Sequence, residues 1–340
     1  MSQQTHSYRK RYLQLLGATS SKELEEQVVG AVTEALRRHR KSDFQVRLSR
    51  VARNFNIRPR PELIPGAHDG EITFQLPPGE FVIRLCTASR GSQQGGAPER
   101  RMRFTYAHEF AHRFFFVQSG EKWERALNVV TSDLEIAERM RHRITLRKIE
   151  EGLCNRIARR LLIPDDFLNT NCPTAAWFAE GEEFFNKLSA AAHILGVSRD
   201  CLLVRLQDVI SERVSHCAFI VGYSKGPITQ RGASKLRIAS GLFPPCLRSQ
   251  TSQQFYPGAE WANFGEGAFN FATERLQAGQ PLLSAISIEL SRGKAQDNLV
   301  LKGWSRIMSA QSMLIWGQLT PFSTKPDSDT DARRNERPLY

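Results

Sequence analysis

Arg103-Phe104-Thr105-Tyr106-Ala107-His108-Glu109-Phe110-Ala111-His112 is the stretch on which the reading of this 340-residue chain turns. Its apolar positions predict a helix from Arg103 to about Val117. On such a helix His108 and His112 stand one turn apart on the same face, so both imidazoles can reach one ion. Zinc takes two such nitrogens at about 2.0–2.1 Å, needs a third protein ligand, and keeps a position for water in catalytic sites. Glu109 is rotated off the histidine stripe, where a carboxylate can accept a proton from that water and pass it to a leaving amine. Phe104, Phe110, Phe114 and Phe115 mark the helix as buried, and buried histidines require polar partners or a cation.

The third ligand has to come from elsewhere in the chain. A metzincin would place histidine six residues after His112, but Gln118 stands there, and Phe115 replaces the required glycine. A glutamate on a second helix is the alternative. The charged stretch from about Leu134 to Leu162, stopped by Pro164, contains Glu151-Gly152-Leu153-Cys154-Asn155. One turn separates Glu151 from Asn155, so the first can bind metal while the second accepts a hydrogen bond from a histidine ligand and fixes its tautomer. Glu150 competes closely for the ligand role, Glu135 and Glu138 more distantly, and His142, set among arginines, is expected to be solvated.

Three stretches together resemble a known family. Residues 103–112 are similar to the RFTLAHELGH segment of the ImmA/IrrE-type metallopeptidases. Glu151 to Pro164 resembles their ExxANxFAxxLLMP helix, and Leu188 to Leu206 resembles the helical segment that follows. The likeness covers about residues 30–210. It implies a cytosolic zinc endopeptidase of the gluzincin kind, with His108, His112 and Glu151 as zinc ligands, Glu109 as general base and Asn155 behind them. It also implies a helix-turn-helix transcriptional repressor as substrate, whose cleavage releases stress-response or mobile-element genes. The chain departs from the family in the 39-residue step from His112 to Glu151, longer than usual, which implies an inserted charged loop near the cleft. Cys154 also replaces the customary alanine.

The rest of the chain frames this core. The expected fold class is α+β: a mainly helical zincin-like domain with a small sheet over residues 1–180, a helix-turn-helix-like segment over 181–213, a β-rich sensor or partner-binding domain over 214–320, and a disordered tail over 321–340. Leu24, Val28, Val32 and Leu36 predict an amphipathic helix over 22–41, and residues 43–57 read as a second short helix. Glu71–Leu76 and Glu80–Cys86, around Pro77-Pro78-Gly79, read as a strand pair. Two helices over 182–209 part at Leu195-Gly196-Val197-Ser198. Short apolar runs after Val214 mark the β-rich region; larger family members carry a ligand-sensing domain there, so a GAF-like fold is the expectation.

Lys and Arg number 47 against 35 Asp and Glu. Residues 1–60 hold thirteen basic residues against five acidic ones, including Arg9-Lys10-Arg11 and Arg37-Arg38-His39-Arg40-Lys41. That surplus makes a DNA contact through the N-terminus a candidate, with a solvated helix face as the plainer reading. Leu188–Leu202 fits a helix-turn-helix with Ala192 at the tight position, Gly196 in the turn and Ser198, Arg199, Asp200 and Arg205 on the second helix. Packing or substrate docking is preferred there over DNA reading. No run approaches the roughly 20 apolar residues of a membrane span, and six scattered cysteines without a CxxC pair suit a reduced, cytoplasmic protein. The rival to the peptidase is a non-catalytic, zinc-stabilised DNA-binding regulator; a reused peptidase fold that binds a partner is a weaker third.

Overall fold

The computed structural model describes residues 3–38, 46–65, 69–77, 79–86, 97–171, 181–209, 216–223, 236–242, 284–290, 299–309 and 312–321. The chain is mixed α+β and divides into two compact units, one formed by residues 1–177 and 185–209, the other by 178–184 and 210–340. Among the described residues, no helix is long and apolar enough to cross a membrane.

The first unit opens with α1 (Gln3–Leu15) and α2 (Ser21–Arg37). Ser20 caps α2 by accepting from the Glu23 amide, while the Glu23 carboxylate accepts from the Thr19 amide and hydroxyl, so the start of the helix is closed reciprocally. Leu24, Val28, Val32 and Leu36 are all buried, as their four-residue spacing requires. The helix expected over 43–57 is not a helix. Its described part forms two 3₁₀ turns, Leu48–Arg50 and Ala52–Phe55, ended by Asn56 in the left-handed region (φ 59°), a conformation that stops helix growth.

A three-stranded sheet follows, β1 (Glu62–Ile64), β2 (Gly70–Gln75) and β3 (Glu80–Cys86), in the order β1-β3-β2. The strand pair read from 71–86 is the antiparallel β2–β3 ladder, and β1 adds in parallel on the other side. The central strand β3 reads as a nearly continuous apolar run because both its neighbours and the helices cover it. Helix α3 (Ala97–His112) crosses this sheet, tightens into a 3₁₀ turn at Arg113–Phe115, and passes into a hairpin of β4 (Phe116–Ser119) and β5 (Lys122–Arg125). Helices α4 (Ala126–Val130) and α5 (Ile136–Leu162) come next, and Pro164 ends α5 as expected.

The 38 residues between His112 and Glu151 therefore do not form an inserted loop. They fold into the 3₁₀ turn, the hairpin, α4 and the first four turns of α5. Along α5 the buried stripe His142, Leu146, Glu150, Leu153, Ile157 and Leu161 repeats every three or four residues. His142, expected in solvent, is only 5% exposed and lies against the Tyr8 ring at 4.4 Å between centroids. Arg156 and Arg160 of α5 pair with Glu25 of α2 and lock the two helices in register.

Helices α6 (Asp165–Asn171), α7 (Glu182–Leu195) and α8 (Arg199–Val209) complete the helical elements. Gly196, at φ +63°, closes α7, and Ser198 caps α8 through the Cys201 amide. The second unit is built on an antiparallel sheet ordered β7-β6-β10-β9-β8, from β6 (His216–Tyr223), β7 (Leu236–Leu242), β8 (Ser284–Leu290), β9 (Leu299–Ser309) and β10 (Ser312–Pro321). Gly303 and Gly317 face each other across β9 and β10, where a Cβ on either would lie within 2.3 Å of the opposite backbone carbonyl. The tail expected to be disordered, beyond Pro321, lies outside the described residues.

Candidate metal centre

Two helices build the site. Helix α3 supplies His108, Glu109 and His112, and α5 supplies Glu150, Glu151 and Asn155. Each helix is anchored at a distance from the site. Arg103, at the front of α3, donates to the carbonyls of Leu195 and Gly196 at the end of α7 and to Val46, all within 3.1 Å. At the far end Arg113 lies over Trp123 (3.9 Å) and Phe81 (4.3 Å) and donates to the Phe55 carbonyl. With both ends held, the histidine-bearing turn has little freedom to rotate.

The ligand atoms converge. His108 Nε2 is 3.1 Å from His112 Nε2 and 3.1 Å from Glu151 Oε2, and His112 Nε2 is 3.6 Å from the same oxygen. Behind them, His108 Nδ1 donates to Asn155 Oδ1 at 3.0 Å and His112 Nδ1 donates to Glu150 Oε1 at 2.8 Å. Both Nδ1 atoms thus carry hydrogens, and both Nε2 lone pairs point toward Glu151. Two lone pairs and a carboxylate oxygen at these separations repel unless they share a positive charge. Ligands about 2.0–2.1 Å from one tetrahedral ion stand about 3.3 Å apart, which these distances bracket. His108, His112 and Glu151 form the one group among the described residues with the spacing to hold a metal ion.

Protonation tells the same story. Burial works against charge on His112, but hydrogen bonding to Cys154, Glu150 and Glu151 outweighs it and pushes its pKa up. Hydrogen bonds from His108 and His112 hold Glu151 well below the usual carboxylate range. Glu109 moves the other way: it is 7% exposed, and burial raises its pKa above the ordinary value despite the nearby histidines. Burial also pushes the Cys154 thiol up to about 11, so it remains a neutral packing group.

Glu150 is not positioned as a ligand. It is completely buried, takes the His112 Nδ1 hydrogen on one oxygen and the Tyr12 hydroxyl on the other (2.9 Å), and has Arg125 3.5 Å away. Adjacent residues on a helix differ by about 100°, which sends Glu150 into the core and leaves Glu151 half-buried at the cleft. Glu135 and Glu138 lie three to four turns up the helix, Glu138 3.7 Å from His142.

A cleft of about 830 Å³ opens onto the site. Gly70 to Phe74 of the edge strand β2 form one wall, Trp123 to Arg125 of β5 another, and Arg147 and Glu151 of α5 the third, with His108, Glu109 and His112 on the floor. Gly70 is required by this layout. A Cβ there would sit 2.6 Å from Thr105 Cγ2 and 3.1 Å from Glu109 Cγ, so β2 approaches α3 closely enough to wall in the carboxylate. Tyr12, Gly70 and Arg125 escape sequence reasoning, since they lie 138, 81 and 25 residues from Glu150 or Glu151 and follow no local pattern.

Elsewhere, several of the residues considered for DNA contact have partners within the fold. Arg205 is buried and bonded to the Ile163 carbonyl and Asp165, and Arg199 lies over the Phe185 ring. Arg9 donates to Ser21, and Arg11 pairs with Asp133. Residues 39–41 of the second basic cluster lie outside the described residues. No protein-family model, curated protein or solved structure matches the chain.

Proposed function

We propose that the chain is a zinc-dependent endopeptidase of the ImmA/IrrE type that hydrolyses a peptide bond in a protein substrate, a helix-turn-helix transcriptional repressor in the cytoplasm. The observation that carries the reading is the convergence of His108 Nε2, His112 Nε2 and Glu151 Oε2 beside a buried carboxylate, Glu109, at the floor of an open cleft. The donor set, two imidazoles and one carboxylate, suits zinc with a position left for water. A purely structural site is usually closed by four protein ligands and has no use for a fifth, acidic neighbour.

A bound divalent ion supplies Lewis acidity toward a water and a peptide carbonyl. The chain does the rest. Asn155 and Glu150 orient the histidines through their Nδ1 hydrogens. Glu109, raised by burial toward the working pH, accepts the water's proton and returns it to the departing amine nitrogen. Among the described residues β2 is the edge strand beside the cleft, so an extended substrate segment can pair with it, which would lay the scissile bond across the cleft floor.

The test is incubation of the wild-type chain and Glu109→Gln with candidate repressors, with fragments read by mass and metal content measured in parallel. Wild type should cut and stop on chelation; the Gln variant should hold its metal and not cut. Undiminished cleavage by the variant removes Glu109 from the mechanism. Metal retention with DNA binding and no cleavage by either protein would favour the regulator.

A further inference from the structure

The outer face of α5 carries a feature that its core-facing stripe does not explain. Ile136, Met140 and Ile144 are 76%, 54% and 54% exposed, although each is a large apolar side chain on a well-formed helix. With Arg147 and Glu151 they recur at spacings of four, four, three and four, and all five fall within an arc of about 80° around the helix. The apolar ridge is therefore collinear with the candidate metal ligand. It starts about 10 Å from Glu151 and ends about 22 Å away, at 1.5 Å per residue. Exposed apolar residues scattered singly need no explanation, but three in one line that ends at a cleft do.

Charge adds direction. Arg141 and Lys148, both exposed and two turns apart, flank the ridge on one side. Arg147, whose side chain is 69% exposed, stands between the ridge and the cleft, and Glu135 marks the far end.

We infer that Ile136, Met140 and Ile144 form a docking site for an amphipathic helix of the protein substrate, whose acidic residues face Arg141, Arg147 and Lys148. The docked helix delivers the adjoining extended segment into the cleft, so the ridge selects the substrate and sets which of its peptide bonds is offered. The inference rests on the peptidase reading of the site. A helix seated this way presents residues at i, i+3, i+4 and i+7 to the ridge.

The experiment uses the full chain, metal-loaded, with two synthetic peptides. One joins a Leu-striped, Glu-rich helix to a quenched-fluorescent extended segment; the other carries the same helix residues scrambled so that no stripe forms. Wild type should cut the striped peptide with kcat/KM about tenfold higher or more. The double variant Met140→Glu, Ile144→Glu should lose that advantage yet cut the scrambled peptide as wild type does, with unchanged metal content and thermal midpoint. Equal cleavage of the two peptides by wild type, or an advantage that survives in the variant, overturns the docking site. So does a wild-type dimer by light scattering that the variant converts to monomer, or a variant that melts early, since the ridge would then be covered by a second copy or by this chain. If neither peptide is cut, fluorescence anisotropy separates the two ideas. Tighter binding of the striped peptide that needs the intact ridge sustains the docking site while the peptidase reading fails. No preference in binding overturns the docking site as well.

Discussion

Replacing each of the adjacent glutamates of α5 by alanine should produce opposite defects. In Glu150→Ala, two buried groups lose their partner at once, the Tyr12 hydroxyl and the His112 Nδ1 hydrogen. An orphaned buried donor costs about 1–3 kcal/mol, so the pair amounts to about 2–6 kcal/mol before any cavity is counted. At about 2–4 °C per kcal/mol for a folding unit of this size, the thermal midpoint of the metal-free protein falls on the order of 10 °C. Metal affinity falls about 10–100-fold, the usual effect of losing the group behind a ligand histidine. In Glu151→Ala the deleted carboxylate is half-buried at the cleft and its loss orphans no core group, so the metal-free midpoint moves less. The metal, left with two imidazoles, is lost by more than 100-fold. Differential scanning fluorimetry of the chelator-treated proteins, with competition titration against a chromophoric chelator, measures both quantities. If Glu150→Ala leaves the metal-free midpoint in place, or if Glu151→Ala keeps wild-type affinity, the assignment of pillar and ligand is wrong.

Three further outcomes follow from the same geometry. Glu109 has a folded-state pKa raised by burial, so its ionised form costs stability at neutral pH; metal-free Glu109→Gln should melt higher than wild type at pH 7, with the gain vanishing below about pH 4, and a gain that does not depend on pH refutes the burial argument. Gly70→Ala forces β2 or the Thr105–Glu109 turn to move, and on the proposed peptidase reading a shift of about 1 Å at Glu109 costs about 100-fold in kcat/KM with metal affinity kept; equal activity would show that the wall yields elsewhere. A chain cut back to residues 1–213 retains the whole metal cluster and its supports, so it should bind metal stoichiometrically, and failure to do so would place a needed contact in the removed part.

The sequence disclosed the parts of this molecule that depend on local period. Four-residue spacing marked α2 and the long α5, alternation marked β2 and β3, and the Gly196 break separated α7 from α8. The one-turn spacings His108/His112 and Glu151/Asn155 put four of the site residues on two helices, and the structure brings those helices together with the expected atoms facing. What stayed hidden depends on contacts between distant segments. The one-turn step to Asn155 favours Glu151 over Glu150, but the buried partners that turn Glu150 inward, Tyr12 138 residues upstream among them, leave no local signal. His142, surrounded by arginines, gave no sign of the Tyr8 ring that buries it. The β4–β5 hairpin went unread because its strands are four residues long, too short for a period of two to register.

The way the two histidines are held has a consequence for time rather than for affinity. Asn155 and Glu150 fix both tautomers and both ring planes, so the pocket holds its donor atoms in place before any ion arrives. Release demands the reverse: the ion must leave three ligands, two of which are imidazoles held by Asn155 and the core-buried Glu150. Exchange with the medium should then be slow compared with turnover, and a chelator should strip the protein over long incubation rather than on mixing. A chain so loaded would not be switched by ordinary swings in free metal. Control falls instead to what reaches the cleft.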